Sequence, residues 1–571
     1  VESSKLPDTG LIEYEGGTLE RVQGIYVAQL HGTYAAMGRQ HAGLTNAACG
    51  DVVSQYLNGL IKKLIAHAIP PLATPADALL KALFHMRNRG NIGDEMRALI
   101  GGFSDGFDTS RTAGEQVLLV PDIVHYLAGR SFVPLAVPPM CTGLYATGAA
   151  TRDGKQLFAR NFDFFGRGIW NQCNALVVMH PNDGQRMCWI GALGSPCGPQ
   201  GFNESGLVFS LHTNFTRDVR SKGIPLFTLC HKVLARCTTL DEAIRCIAAE
   251  PRLCGLSMFL LDTNARKAAV VGFSAHHQEV VYPEDDVLVR SNHYITAAMQ
   301  RDEVAPYPWQ RNSRGRFRRA HALLEAHRGT LAPEDLPAIL SDCHDTWEDQ
   351  TRVTGNILAC INTTQSMAMS PDEDTLWLAH ADHPVAHAAR YAGFRMSAIL
   401  QGDRAQYVCD PLKGASSLDT PQRAALQEYA EAWSAYFDNL NSDTAVFHLR
   451  RAAAFLPEEP IFPRMAGLLL LKQRRYAQAL PFLIQNAAHP YKDRLMQAEA
   501  HLWVARCLDL LGRRAEARTA YEKAAALAVD PVSGAARRHL QKPFRTLDLL
   551  DVAPEFVCGT AIAKYRQHAP A

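Results

Sequence analysis

The sequence predicts a layered α+β fold, rather than a doubly wound parallel sheet, followed by an added helical region. Three observations predict it. Strand-like segments cluster at both ends of a central zone, with long helical patterns between them. The zone before it is mostly helical in periodicity and is broken by proline and glycine turns. The last zone is rich in Ala, Leu and Arg and reads as helical throughout. The expected organisation is an N-terminal, mostly helical segment over 1–140, a strand-rich core over 141–400 and a helical C-terminal region over 401–571.

In chain order, an apolar stretch at 24–30 suggests a strand, and 34–136 reads as helices and turns. Val137-Pro138-Pro139-Met140 is expected to be extended, because each proline removes a donor and restricts the residue before it. Short strands follow at 144–150, 157–161, 175–179, 187–190, 207–211, 258–262, 268–273, 278–282 and 375–380. Helical patterns occupy 225–249 and 313–326. In the final zone, about 421–549, two pieces resemble tetratricopeptide repeats. Ala505, Gly512, Ala517, Tyr521 and Ala524 supply small residues and an aromatic ring at close-packing positions, and Gly467, Tyr476 and Ala479 repeat part of the pattern. A generic helical hairpin explains the same residues equally well.

At 571 residues, two or three domains are expected. Hydrophobic residues at 47% and charged residues at 20% place the chain among globular proteins. A net charge of +1 gives no long-range field that would favour nucleic acid or an anionic membrane, so a small molecule is the better-matched partner. No apolar stretch is long enough for a membrane span; the nearest, Leu60 to Leu72, holds Lys62, Lys63, His67 and two prolines. The start, Val1-Glu2-Ser3-Ser4-Lys5, lacks Met and reads as a mature, exported chain whose targeting segment is gone, with a cytoplasmic location as the alternative. None of the 14 cysteines forms a C-x-x-C pair or a zinc-finger pattern. Cys230 and Cys237 recur at helical spacing and read as small buried apolar residues.

Chemistry concentrates at one junction. Cys141-Thr142-Gly143-Leu144-Tyr145 opens a strand, Thr151-Arg152-Asp153-Gly154 turns it, and the return strand ends in Arg160-Asn161-Phe162-Asp163. The turn brings Arg160 and Asp163 back towards Cys141, where a cation favours thiolate over thiol. A cysteine at a chain start carries its own base, because an α-amine with a pKa of about 7.7–8.0 can accept the thiol proton. Cleavage of the Met140-Cys141 bond would create that base, coupling maturation to activity.

This hairpin resembles that of the penicillin acyltransferase family, the isopenicillin N acyltransferases, and of the related choloylglycine hydrolases. The stretches Gly24–Gly32 and Tyr34–Gly43 are similar to the opening of that family's α chain. Gly201-Phe202-Asn203-Glu204-Ser205-Gly206-Leu207, with Asn214 after it, is similar to a second landmark. Arg290-Ser291-Asn292-His293 and Ser313-Arg314-Gly315-Arg316-Phe317 resemble a third and a fourth. Together these cover about 24–394.

The resemblance implies an αββα N-terminal-nucleophile sandwich. It assigns Cys141 as nucleophile and, through its amine, base. Arg160 would bias the sulfur, and Asp163 would hold the new ammonium. Asn214 would donate to the oxyanion, Asn292 would orient the amine or substrate carbonyl, and Arg316 would support the thiol and Asp163. The implied reaction is cleavage of a linear amide through an acyl-thioester, by hydrolysis or transfer, without metal or organic cofactor. Met140 stands where many family members have Gly, a departure that bears on self-cleavage. Asn203, Glu204 and Gly206 read as a turn, and the loop from Gly194 to Gly201 as part of the substrate pocket. No G-x-S-x-G, G-x-x-x-x-G-K-[ST] or H-E-x-x-H motif supports another enzyme class. The competing reading is an uncleaved scaffold that binds a peptide or protein partner through its C-terminal helices.

Overall fold

The computed structural model describes residues 10–130, 140–382 and 384–563. The expected extended approach through Val137, Pro138 and Pro139 lies outside the described residues. The N-terminal segment contributes strands as well as helices: β1 (Ile12–Tyr14), β2 (Gly17–Val22) and β3 (Ile25–Gly32) precede six helices. These are α1 (Tyr34–Ala48), α2 (Val52–Ala68), α3 (Ala73–Asn88), α4 (Asp94–Gly106), α5 (Arg111–Leu118) and α6 (Val120–Gly129). Helices α1 and α4 cross at glycines: a Cβ on Gly38 would meet the Leu99 carbonyl at 2.1 Å, and one on Gly102 the Ala35 carbonyl at 1.9 Å.

The hairpin β4 (Met140–Gly148) and β5 (Gly154–Asp163) follows, then α7 (Trp170–Cys173) and β6 (Asn174–Pro181), β7 (Met187–Ala192), β8 (Gln200–Asn203) and β9 (Leu207–Thr213). Helices α8 (Leu226–Arg236) and α9 (Leu240–Ala249) lead to β10 (Leu256–Asp262), β11 (Lys267–Phe273), β12 (Gln278–Val281) and β13 (Val287–Arg290). After α10 (Ala297–Gln300), α11 (Tyr307–Ala326) and α12 (Leu336–Leu340) come the small ribbon β14 (His344–Asp345) and β15 (Gln350–Thr351). The core ends with β16 (Thr363–Ser370), β17 (Thr375–Ala379), β18 (Arg390–Arg395), α13 (Met396–Gln401) and β19 (Val408–Lys413).

Two sheets result. One has ten strands in the order β1-β2-β3-β6-β7-β8-β9-β10-β11-β12; the other has seven, β13-β4-β5-β16-β17-β18-β19. The join between the N-terminal segment and the core is the parallel pair β3–β6; the remaining neighbours pair antiparallel. Alternating apolar side chains from both sheets, among them Val27, Leu176, Ile190, Phe158 and Met367, interleave in one buried cluster between them. Helices α1, α4, α8 and α9 cover the outer face of the ten-stranded sheet, and α11 and α12 that of the seven-stranded one. The fold is thus the αββα sandwich, with a helical region after it.

That region contains α14 (Thr420–Phe437), α15 (Ser442–Phe455), α16 (Ile461–Lys472), α17 (Tyr476–Ala487), α18 (Arg494–Leu510), α19 (Arg514–Ala526) and α20 (Val532–Gln541), then the hairpin β20 (Val552–Glu555) and β21 (Thr560–Ala563). Ala479, Ala505, Ala517, Tyr521 and Ala524 are all fully buried, and Gly512 adopts φ 75° in the turn between α18 and α19. The absent side chain of Gly467 admits Leu483, whose Cγ lies 2.7 Å from where a Cβ would stand. Among the described residues, no helix is long and apolar enough to cross a membrane.

Candidate active site

Gly148 (φ 53°) and Gly154 (φ 75°) occupy the left-handed region that a tight turn needs. They bring β4 back along β5, so that Cys141 faces Phe162, Gly143 faces Arg160 and Met140 faces Asp163. Opposed residues of an antiparallel pair share a face, and successive residues alternate. Cys141, Gly143 and Arg160 therefore point towards the ten-stranded sheet, while Thr142 and Asp163 point towards the α11 layer. Gly143 leaves room for His212 of β9, whose ring would lie 3.0 Å from a Cβ there.

Arg160 Nη2 donates to Cys141 Sγ at 3.2 Å. Its guanidinium is fixed by the Pro199 carbonyl at 3.4 Å and by Gln200 Oε1 and the Leu211 carbonyl. Burial pushes the Cys141 thiol above its ordinary value, and Arg160 draws it back only in part. The sulfur of the uncut chain is accordingly a thiol next to a cation.

The nitrogen of the same residue is held separately. Cys141 N–H donates to Asn292 Oδ1 at 2.9 Å. That oxygen also accepts from Arg316 Nη2 at 2.7 Å, while Asn292 Nδ2 donates to the Thr213 carbonyl at 3.0 Å. The amide therefore has one consistent orientation. Arg316 Nη1 donates to the Cys141 carbonyl at 2.6 Å and to Thr142 Oγ1 at 2.7 Å, so it reaches the main chain of Cys141 and not its sulfur. Asp163 Oδ1 accepts from Thr363 Oγ1 at 2.7 Å, and its Oδ2 is buried without a partner. Burial pushes this carboxyl up to about 6, against the pull of Arg316, Thr363 and Arg160.

Asn214, directly after β9, adjoins the cluster through the preceding Thr213, whose carbonyl Asn292 binds, rather than through Cys141. Its Oδ1 accepts from Ser257 Oγ at 2.8 Å and from Arg290 Nη2 at 3.3 Å. A guanidinium only donates, so the atom facing it is the oxygen, and Nδ2 is left pointing elsewhere, buried and unpaired. Four of the six expected residues, Cys141, Arg160, Asn292 and Arg316, thus form one hydrogen-bonded unit; Asp163 borders it, and Asn214 is tied in from behind.

An apolar cavity of about 90 Å³ lies beside Cys141. Its walls include Leu57 and Leu60 of α2, Val120 of α6, Phe164, Trp170 and Pro196. Of the stretch from Gly194 to Gly201, whose last two residues open β8, the loop part supplies Ser195, Pro196, Cys197 and Pro199 to it. Apart from the thiols of Cys141 and Cys197, which burial pushes up, the titratable side chain among the described lining residues is His125; burial lowers it to about 4, so it is neutral near pH 7. His293 sits outside that wall, with Nδ1 2.8 Å from Ser313 Oγ and 3.1 Å from Ser291 Oγ. Asn203 and Gly206 form the expected turn: Asn203 Oδ1 accepts from the Ser205 and Leu207 N–H groups, and Gly206 has φ 80°. Among the described residues, no three His, Cys, Asp or Glu side chains are arranged to hold a metal ion.

Sequence reasoning missed Ser257, Thr363 and the orienting part played by Arg290. Arg290 carried a signal, a charged residue closing the apolar strand Val287–Val289; Ser257 and Thr363 carried none.

No curated protein matches the chain in sequence. Among solved structures, a mutant of the conjugated bile acid hydrolase from Clostridium perfringens is 16% identical, covers 45% of this chain and 92% of its own, and has a TM-score of 0.30. The Caenorhabditis elegans N-acylethanolamine-hydrolyzing acid amidase ortholog is 16% identical, with 40% and 93% covered and a TM-score of 0.29. The N-terminal domain of stress-induced protein-1 from C. elegans is 15% identical, with 22% and 100% covered and a TM-score of 0.20. Residues 150–382, which begin just after Cys141 and contain Arg160, Asp163, Asn214, Asn292 and Arg316, match the family described as acyl-coenzyme A:6-aminopenicillanic acid acyl-transferase, the family that the hairpin resembles.

Proposed function

We propose that the chain is a self-processing amide hydrolase or acyltransferase whose nucleophile is Cys141. The observation that carries this reading is that the two reactive atoms of one residue are held independently: Sγ by Arg160 and the backbone nitrogen by Asn292. In maturation, Cys141 Sγ adds to the Met140 carbonyl, the C–N bond breaks to leave a thioester and a free amine, and water hydrolyses the thioester. The unpaired Asp163 Oδ2 is suited to receive the resulting ammonium. In turnover the amine takes the thiol proton, and Sγ attacks a substrate amide carbonyl. The oxyanion takes a hydrogen bond from Asn214 Nδ2, the protonated amine leaves, and the acyl-thioester passes its acyl group to water or to an amine.

The neutral, aromatic cavity favours a linear amide with an uncharged apolar acyl group, because a charged group there would lose hydration without a counter-ion. Intact mass and N-terminal sequencing should reveal a light chain ending at Met140 and a heavy chain starting at Cys141. Cys141→Ala should yield one full-length chain and no turnover; cleavage at that bond in the variant would refute the mechanism.

A further inference from the structure

We propose that the α2–α3 hairpin is a docking element for an anionic lipid surface. Six of the most exposed large apolar side chains fall within it: Val52, Ile69, Leu72, Leu79, Leu83 and Met86, at 40–63% exposure. Leu79, Leu83 and Met86 recur at i, i+4 and i+7, which places them along one face of α3. The opposite side buries Phe84 and packs Leu80 against the core, so the stripe is the outward face of a seated helix.

The tip has the backbone chemistry that hydrocarbon demands. Ile69, Pro70, Pro71 and Leu72 are all exposed. Pro70 and Pro71 have no N–H, the Ile69 N–H donates to the Ile65 carbonyl at 2.8 Å, and that of Leu72 to the Ile69 carbonyl at 3.1 Å. No donor at the tip would be stranded in a medium without water.

Charge complementarity selects an anionic bilayer. Residues 51–91 themselves hold five cations, Lys62, Lys63, Lys81, Arg87 and Arg89, and two acids, Asp51 and Asp77; from neighbouring elements Asp438 pairs with Lys63 and Glu115 with His85. Lys81 pairs with Asp77 at 2.9 Å and Arg87 donates to Ser221 Oγ, while Lys62 of α2 and Arg89 at the end of α3 are exposed on the same hairpin. Basic residues flanking an apolar helix face are the pattern of interfacial binding. Helix α2 also walls the cavity beside Cys141 through Leu57 and Leu60, so the docked hairpin would stand between the lipid and that cavity.

The full chain should co-sediment with vesicles of phosphatidylglycerol and phosphatidylcholine in equal parts and bind pure phosphatidylcholine far less. Leu79→Asp/Met86→Asp should lower the partition coefficient by about tenfold or more. Lys62→Ala and Arg89→Ala should each lower it by about fivefold. The neutral pair Leu79→Gln/Met86→Gln, checked for an unchanged melting curve, reports loss of insertion without new charge. The proposal is overturned if the wild-type chain stays in the supernatant, or if these variants bind vesicles as it does. It is equally overturned if sedimentation velocity shows a dimer that the same substitutions dissociate while vesicles bind nothing, which would assign the face to a second copy.

Discussion

Asn214 illustrates how a site depends on residues that never touch the reacting atoms. Its carbonyl is pinned between Ser257 and Arg290, and this decides where its amide hydrogens point. Ser257→Ala leaves Arg290 alone against Oδ1, and Arg290→Gln admits the flipped amide, because glutamine can accept as well as donate. Each substitution should lower kcat by about tenfold, less than the 10²–10³ typical of losing an oxyanion donor outright. KM should change little if, as proposed, Asn214 donates to the oxyanion and so acts in the transition state. A rise in KM with unchanged kcat would show that Asn214 serves ground-state binding instead. At this scale, Cys141, Arg160, Asp163, Asn292 and Arg316 were legible because they sit in or beside motifs of recognisable order. Arg316 stood in a basic run that by itself reads as a solvated helix face, yet it is fully buried while the helix turns Arg314 partly outward. Ser257 is the second residue of an apolar strand, and no local pattern distinguishes it from an ordinary buried serine; only its bonds to Asn214 and Arg290, distant in sequence, give it a task.

Secondary-structure elements explain how the N-terminal segment is locked to the core. Asp122 of α6, 1% exposed, accepts from the Leu226 N–H at 3.1 and 3.3 Å and so caps the first turn of α8 across a gap of a hundred residues. Cys254 Sγ also donates to it at 3.6 Å. Burial pushes this carboxyl up to about 7, beyond what those donors offset. Between about pH 4 and pH 7 the folded chain keeps a proton that the unfolded chain has lost, so stability falls as pH rises through that window and stays low above it. Asp122→Asn keeps an acceptor for Leu226 and removes the titration. Denaturant midpoints should show the variant more stable than wild type at pH 8 by roughly 4 kcal/mol, with the two curves converging near pH 4. A parallel pair of curves would exclude Asp122 as the source. The hairpin β4–β5 and the strands β6, β7 and β9 to β12 were readable because alternation and turn residues act locally, whereas the short β8, which follows a Gly- and Pro-rich loop, reads as part of that loop. The strands β1 and β2 were not: Gly17–Val22 alternates Leu19 with Thr18, Glu20 and Arg21, and only pairing with β3 makes that short polar run a strand.

On the scale of the whole molecule, the helical region is joined to the core by burial rather than by a linker alone. Helices α2, α6 and α14 to α19 contribute to one apolar cluster with Trp309, Ile357 and Ile361 of the core. Phe165, a wall of the cavity, stacks on Phe437 at 4.8 Å, and Tyr56 OH donates to Asp438 Oδ1 at 2.7 Å. Within this contact Arg352 pairs with Glu459, with side chains only 4% and 5% exposed. Composition could not announce such a pair, since the two residues lie far apart in sequence and each reads as surface charge. Removing one partner of a buried pair strands the other charge, at a cost of about 3–5 kcal/mol, whereas an exposed pair is worth about 0–1 kcal/mol. Glu459→Gln should therefore destabilise the chain strongly, and Glu516→Gln, which breaks the exposed pair with Arg513, hardly at all. Because the cluster is continuous, near-ultraviolet and far-ultraviolet signals should move together in a denaturant titration of Glu459→Gln. If the helical signal is lost at lower denaturant while the environment of Trp170 in the core is retained, the region folds as a separate module. In that case the cavity beside Cys141 keeps its shape without Phe437 behind Phe165, and the tail is free for a role of its own.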